Sequence, residues 1–135
     1  MFDNYAYLYV EDDPLSREIM QMIMSNAMDV RNLTVFDNSA DFIERLRRLP
    51  RIPDVILLDI HVAPYDGFKI LSLIQADPDY REAKVIAVTA SVMNEEVAKL
   101  RTSGFDGAIA KPLSVQSFPD LLSRVLTGEA VWHIE

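Results

Sequence analysis

Short apolar runs alternate with helix-like patterns along this whole chain, and that alternation limits the folds open to it more than any other feature. Each run is followed by a segment whose apolar residues recur with the 3.6-residue period of a helix. The runs are "YAYLYV" (5–10), "RNLTVFD" (31–37), "DVILLD" (54–59), "KVIAVTA" (84–90) and "GAIAKP" (107–112). Because parallel strands need crossover helices, five strand-helix pairs predict one α/β domain: a doubly wound, five-stranded parallel sheet with five helices on its two faces.

The composition fits a single globular domain with an acidic surface. Its 135 residues include 13 basic and 21 acidic ones, a formal charge of −8 that repels nucleic-acid phosphates and anionic lipid. The concentrated basic cluster at residues 45–51 is interpreted as a solvated face rather than a docking patch. Without cysteine the chain forms neither disulfides nor thiolate metal sites. With no leader pattern and no apolar run of about 18 residues, it is predicted to be cytoplasmic and to bind neither nucleic acid nor membrane.

Chemically active residues follow the predicted strands, at the edge of an α/β sheet where functional crevices form. These residues are Glu11, Asp12, Asp59, Thr89 and Lys111. Taken singly, each has an ordinary explanation as a turn residue, a helix cap or a surface charge. Together they are harder to explain, because carboxylates about 4 Å apart repel by about 4 kcal/mol at an effective dielectric of about 20. Such acids must share a proton, pair with the lysine or hold a hard cation, most naturally Mg²⁺.

The order of four motifs resembles the receiver domain of two-component response regulators, over residues 5–126. The motifs are "YVEDDP", "LLDIHVAPYDG", "VTAS" and "AKP". The wider match around "VTASVMNEE" and "AKPLS" is most similar to stand-alone regulators of the DivK type. This resemblance implies the flavodoxin-like (CheY-like) strand order 2-1-3-4-5. It also implies a protein that catalyses only its own phosphorylation and dephosphorylation and is otherwise not an enzyme.

The resemblance further implies a role for each site residue. Asp59 would accept a phosphoryl group from the phosphohistidine of a sensor kinase or phosphotransfer protein. Thr89 would hydrogen-bond that group, and Lys111 would pair with it and precede Pro112 in a cis peptide bond. The implied Mg²⁺ ligands are the side chains of Glu11, Asp12 and Asp59 and the backbone carbonyl of His61. Phosphorylation would then change contacts with a downstream protein.

The chain departs from the family pattern at two positions. The proline expected four residues after Asp59 is replaced by Ala63 and appears one step later, as Pro64. Three residues before Lys111, where the family commonly has a switching Tyr or Phe, this chain has Ala108. An aromatic switch at that position therefore cannot operate. His61, two residues after Asp59, is either a solvated loop residue or, together with Ser91, a control on water access to the site.

Residues 127–135 are interpreted as a short tail with no output domain, in which Trp132 packs back on the receiver domain of residues 1–126. Three other functions share part of this pattern. A dehalogenase-like phosphatase needs a second aspartate where this chain has His61. A flavin carrier needs a phosphate-binding loop after the first strand, which is not visible. A receiver-like interaction module that works without phosphorylation remains the alternative, because of Ala63 and Ala108.

Overall fold

The computed structural model describes residues 2–91 and 93–134 of the chain. Its strands are β1 (Tyr7–Val10), β2 (Leu33–Phe36), β3 (Val55–Asp59), β4 (Lys84–Thr89), β5 (Gly107–Ala110) and β6 (Val131–His133). Its α-helices are α1 (Pro14–Gln21), α2 (Phe42–Arg47), α3 (Gly67–Gln75), α4 (Asn94–Ser103) and α5 (Phe118–Leu126). A 3₁₀ turn (Phe2–Asn4) precedes β1, and α1 continues as a π-helical segment (Met22–Ala27). None of the helices in these ranges is long and apolar enough to cross a membrane.

The strands form one parallel sheet in the order β2-β1-β3-β4-β5-β6. Buried residues of α1 and α5 share one apolar cluster with one face of the sheet. Those of α2, α3 and α4 share a second cluster with the opposite face. β1 and β3 are buried throughout their length, as expected of central strands covered on both faces. The predicted α/β class, the five helices and the order of the first five strands are therefore confirmed.

The prediction of a five-stranded sheet is wrong, because residues 131–133 add a sixth strand. β6 runs parallel to β5, with Gly107 opposite Val131 and Ala108 opposite Trp132. Val131 is buried, and Trp132 packs against the apolar cluster on the α4 face, so the expectation that this tryptophan packs back on the domain is confirmed. The strand was missed because three residues are too few to show a strand period.

Local sequence signals fix the helix ends near the carboxyl edge of the sheet. The Asp13 side chain accepts the backbone N–H of Ser16 at 2.9 Å and caps α1, with Pro14 in its first turn. The Asp66 side chain caps α3 in the same way. α4 ends at Ser103 and is followed by Gly104, whose φ of 107° lies in the left-handed region that favours glycine. The caps of α1 and α3 set where each helix leaves the edge that carries the site.

The basic cluster at residues 45–51 is engaged within the chain. The Arg45 guanidinium lies 4.1 Å from the centre of the Phe36 ring. Arg47 contacts the carboxylates of Asp77 and Asp79. Arg51 similarly contacts Asp54. These contacts agree with the interpretation of the cluster as a structural, solvated face.

Gly107 allows β6 to dock, and we expect Gly107→Ala to loosen it. A Cβ atom at residue 107 would lie 2.2 Å from the backbone oxygen of Val131, far inside contact distance. Because a backbone atom cannot move away without shifting the strand, we expect the free energy of unfolding to fall by about 1–3 kcal/mol. Chemical denaturation measures this loss. Hydrogen exchange should quicken at the amides of β6 but not at those of β2, on the opposite edge; equal protection of β6 in both proteins would contradict the expectation.

Candidate functional site

Three carboxylates meet at the carboxyl edge of the sheet. Glu11 and Asp12 follow β1 directly, and Asp59 is the last residue of β3. Since β1 and β3 are paired neighbours with Val10 opposite Leu58, the sheet register brings the acids together. One carboxylate oxygen of each acid lies within 4.8 Å of the other two. Glu11 and Asp59 are buried whereas Asp12 is exposed, and this set of oxygen donors fits a hard divalent cation such as Mg²⁺.

Lys111 brings a positive charge to the three acids. Its ammonium nitrogen lies 2.8 Å from Glu11 Oε1 and 3.8 Å from Asp59 Oδ1. The resemblance implied that Lys111 pairs with a phosphoryl group on Asp59; in the structure its ammonium group lies closer to Glu11 than to Asp59. Glu11 also has a second donor, which the sequence interpretation did not include. The hydroxyl of buried Tyr9 donates to Glu11 Oε1 at 2.7 Å. The sequence did indicate this contact, because Tyr9 and Glu11 are two residues apart and such residues along a strand point to the same face.

The pKa values of the two buried carboxyls, Glu11 and Asp59, are shifted in opposite directions. Burial tends to raise the pKa of Glu11, but the contacts with Lys111, Asp59 and Tyr9 outweigh it and hold this pKa below its ordinary value. Burial and the adjacent Glu11 charge raise the pKa of Asp59 to about 7, which Lys111 offsets only in part. Burial and the Glu11 contact also raise the pKa of Tyr9, so its hydroxyl stays protonated and continues to donate. A cation bound beside Asp59 would favour its ionised form and so lower this raised pKa.

The acids and Lys111 line an open cleft of about 410 Å³. The apolar part of its lining includes Leu15, Ile19, Pro112 and Leu113. Leu15 is 62% exposed at this rim, although it lies in the first turn of an otherwise amphipathic helix. The cleft is thus lined by charged side chains around Asp59 and by apolar side chains from α1 and from the segment after β5.

Thr89 ends β4, next to β3, but its hydroxyl is occupied elsewhere. The side chain is fully buried, and its Oγ1 accepts the backbone N–H of Ser91 at 3.0 Å. Ala90 lines the cleft, and Thr89 does not. The structure therefore brings together Glu11, Asp12, Asp59 and Lys111, and leaves Thr89 turned toward the segment that precedes α4.

The loop after β3 is fixed from two sides. The Ser39 hydroxyl donates to the backbone oxygen of Tyr65 at 2.6 Å and accepts its N–H at 2.7 Å. A Cβ atom at Gly67 would lie 2.9 Å from the Cα of Ile60, so glycine permits the close start of α3 beside Asp59. The bond before Pro64 is cis. The bond between Lys111 and Pro112 is also cis, as the resemblance implied.

Ala108 is fully buried in β5, and Trp132 of β6 lies directly opposite it. Because register partners in a parallel pair point to the same face, the tryptophan stands beside the position where an aromatic residue is missing. The Arg101 guanidinium of α4 lies 5.0 Å from the centre of its ring. An aromatic side chain beside α4 is therefore carried by the neighbouring strand, β6.

Comparison with known proteins identifies the family. The response regulator receiver domain model matches residues 7–123, and the chain therefore belongs to this family. Receiver domains are generally non-enzymatic signalling modules of two-component phosphorelays. The alternative of an interaction module that works without phosphorylation receives no support from these similarities.

Two similar relatives show the family in different settings. The chain is 30% identical over 122 residues to the signal transduction histidine-protein kinase BarA of Shigella flexneri, covering 90% of this chain and 13% of that protein. It is 35% identical over 78 residues to the polar-differentiation response regulator DivK of Brucella ovis, covering 58% of this chain and 63% of that one. The chain thus spans only a small part of the kinase and less than two thirds of the regulator.

Among solved structures, the signal receiver domain of a histidine kinase from Syntrophus aciditrophicus superposes with a TM-score of 0.78. It is 24% identical and covers 92% of this chain and 91% of that one. The receiver domain of a DNA-binding response regulator from Colwellia psychrerythraea gives the same TM-score at 23% identity, covering 91% and 98% of the two chains. These similarities establish the fold.

Proposed function

We propose that this chain is a phosphoacceptor response regulator, with Asp59 as the residue that accepts the phosphoryl group. The observation that carries the proposal is the placement of a buried carboxyl between a set of oxygen ligands and an ammonium group 3.8 Å away. A carboxylate oxygen of Asp59 would bond to phosphorus while the bond from phosphorus to the donor histidine breaks, and the imidazole would keep the electron pair and take up a proton. The product is an acyl phosphate on the side chain.

The residues of the cluster fit Mg²⁺, because they offer only oxygen donors and include a carboxyl whose pKa is raised in the absence of a cation. We propose the side chains of Glu11, Asp12 and Asp59 and the backbone carbonyl of His61 as ligands. When bound, the ion would neutralise negative charge on the transferring phosphoryl group. Lys111 would pair with a phosphoryl oxygen, for which it must share its present contact with Glu11. Thr89 would reach the same group only after giving up its bond to Ser91.

The proposed phosphodonor is a sensor histidine kinase or a histidine phosphotransfer protein, and the proposed receiver of the signal is a downstream protein. The apolar rim of the cleft offers a surface on which a donor protein could pack while its histidine reaches Asp59. Signalling would then proceed by protein contacts in the cytoplasm, without nucleic acid or membrane as direct partners.

Phosphoryl uptake from a small donor tests the proposal. With acetyl phosphate and Mg²⁺, the intact mass of the parent protein should increase by one phosphoryl group, and Asp59→Asn should remove the increase entirely. Asp37→Asn is the matched control, because Asp37 is also an acid that directly follows a strand but lies exposed after β2. EDTA should abolish uptake in the parent. No mass increase under saturating donor and metal would overturn the proposed function.

A further inference from the structure

One carboxylate on α4 connects both loops that flank the site. Glu96 Oε2 accepts the hydroxyl of Ser91 at 2.8 Å, and Ser91 in turn donates its backbone N–H to Thr89. The other oxygen, Glu96 Oε1, lies 3.0 Å from His61 Nε2. Glu96 therefore contacts the residue two positions after Asp59 and the residue two positions after Thr89.

The contact with His61 is the polar interaction that Glu96 Oε1 makes within residues 2–91 and 93–134. This oxygen atom is buried and makes no aligned hydrogen bond among them, so the imidazole nitrogen 3.0 Å away is a donor group within reach of it. A buried carboxylate oxygen is costly to leave without a donor, so the carboxylate favours keeping the imidazole in place. The side chain of Glu96 is mostly buried, whereas that of His61 is 63% exposed. Glu96 can therefore act as the anchor that positions the more exposed imidazole.

His61 borders two cavities. It lines the cleft that contains Asp59, and it also lines a neighbouring cavity of about 320 Å³ between the loop after β3 and α4. Glu96 lines only the second of these cavities. A ring freed from Glu96 could move within the second cavity, and movement away from the cleft would widen the path by which water and small donors reach Asp59.

We propose that Glu96 is a positioning residue that sets the lifetime of the acyl phosphate, by holding His61 across the entrance and Ser91 against α4. The inference rests on the proposed function of Asp59. In the hydrolysis that Glu96 would slow, a water oxygen bonds to phosphorus and the bond from phosphorus to Asp59 breaks. Asp59 keeps the electron pair as a carboxylate, and the protons of the water leave with inorganic phosphate.

The test compares rates of gain and loss of the phosphoryl group, followed by intact mass after acetyl phosphate is added and then removed. Glu96→Ala should speed both uptake from acetyl phosphate and hydrolysis by about 3- to 10-fold, a change of about 1 kcal/mol in each barrier. Glu96→Gln retains an acceptor for Ser91 and a polar group facing His61, and should restore rates near those of the parent. Glu95→Ala is the matched control, because this neighbouring glutamate is exposed.

A double variant separates positioning from a general loss of structure. If Glu96 acts through the imidazole, His61→Ala should speed hydrolysis on its own, and adding Glu96→Ala should increase the rate little further. Unchanged rates in a folded Glu96→Ala protein, or equal changes in Glu95→Ala, would overturn the inference while leaving Asp59 as the acceptor. If the parent itself gains no phosphoryl group, both the inference and the proposed function fail.

Discussion

Replacing Lys111 with methionine is expected to lower the free energy of unfolding by about 3–5 kcal/mol, the usual cost of removing one partner of a buried ion pair. Glu11 is fully buried, and the ammonium group of Lys111 lies 2.8 Å from its carboxylate. Without the lysine, this carboxylate keeps the hydroxyl of Tyr9 as a donor but loses the opposite charge. The same substitution should remove most phosphoryl uptake at Asp59, because the incoming group loses its cationic partner.

Urea denaturation of the metal-free protein measures the stability effect. Lys69→Met is the matched control, since Lys69 is exposed on α3, and it should unfold like the parent. Adding Glu11→Gln to Lys111→Met should recover much of the lost stability, because the unpaired charge is then gone. A Lys111→Met protein as stable as the parent would show that the ion pair does not support the fold.

The second large effect is a pH-dependent gain in stability from Asp59→Asn in metal-free protein. The folded state raises the pKa of Asp59 from 3.8 to about 7, through burial first and then the Glu11 charge. Stability due to the neutral carboxyl is therefore complete below about pH 4 and is lost as pH rises to about 7. The asparagine side chain does not titrate, so the advantage of the variant should grow across this window and level off above it, at on the order of 2–4 kcal/mol.

Unfolding curves of both proteins in EDTA between pH 4 and 9 measure this difference, and the other carboxylates largely cancel in the comparison. Saturating Mg²⁺ should shrink the difference by stabilising the ionised acid in the parent. Asp37→Asn, which changes an exposed acid that also follows a strand, is the matched control. A difference between parent and Asp59→Asn that stays constant with pH would contradict the expectation.

The sequence predicted which residues lie at the carboxyl edge of the sheet, because the pattern that places them there is local. An acid directly after an apolar strand must lie at the strand's carboxyl end, and parallel pairing then brings the ends of β1, β3 and β5 to one edge. The positions of Glu11, Asp12, Asp59 and Lys111 follow from that rule. The individual roles came from the resemblance to receiver domains, and they stay proposals.

What the sequence could not predict depends on side-chain direction and on distant parts of the chain. Thr89 stands at the expected strand end, but the choice of its hydroxyl between the cleft and Ser91 depends on the path of the next loop. Glu96 looks like an ordinary acid in the first turn of a helix, and only the fold shows that it contacts His61. β6 pairs with β5, which lies more than twenty residues earlier in the chain, and no local sequence pattern indicates such a pairing.

Trp132 is the only tryptophan in the sequence, and it lies on β6 against the Arg101 side chain of α4. Its fluorescence therefore originates from a single place, the junction of the last strand with α4, opposite Ala108. Any displacement of α4 relative to β6 would alter the surroundings of the indole ring and hence its emission. Trp132 is therefore an intrinsic fluorescent probe on the face where β5 has Ala108 in place of an aromatic residue.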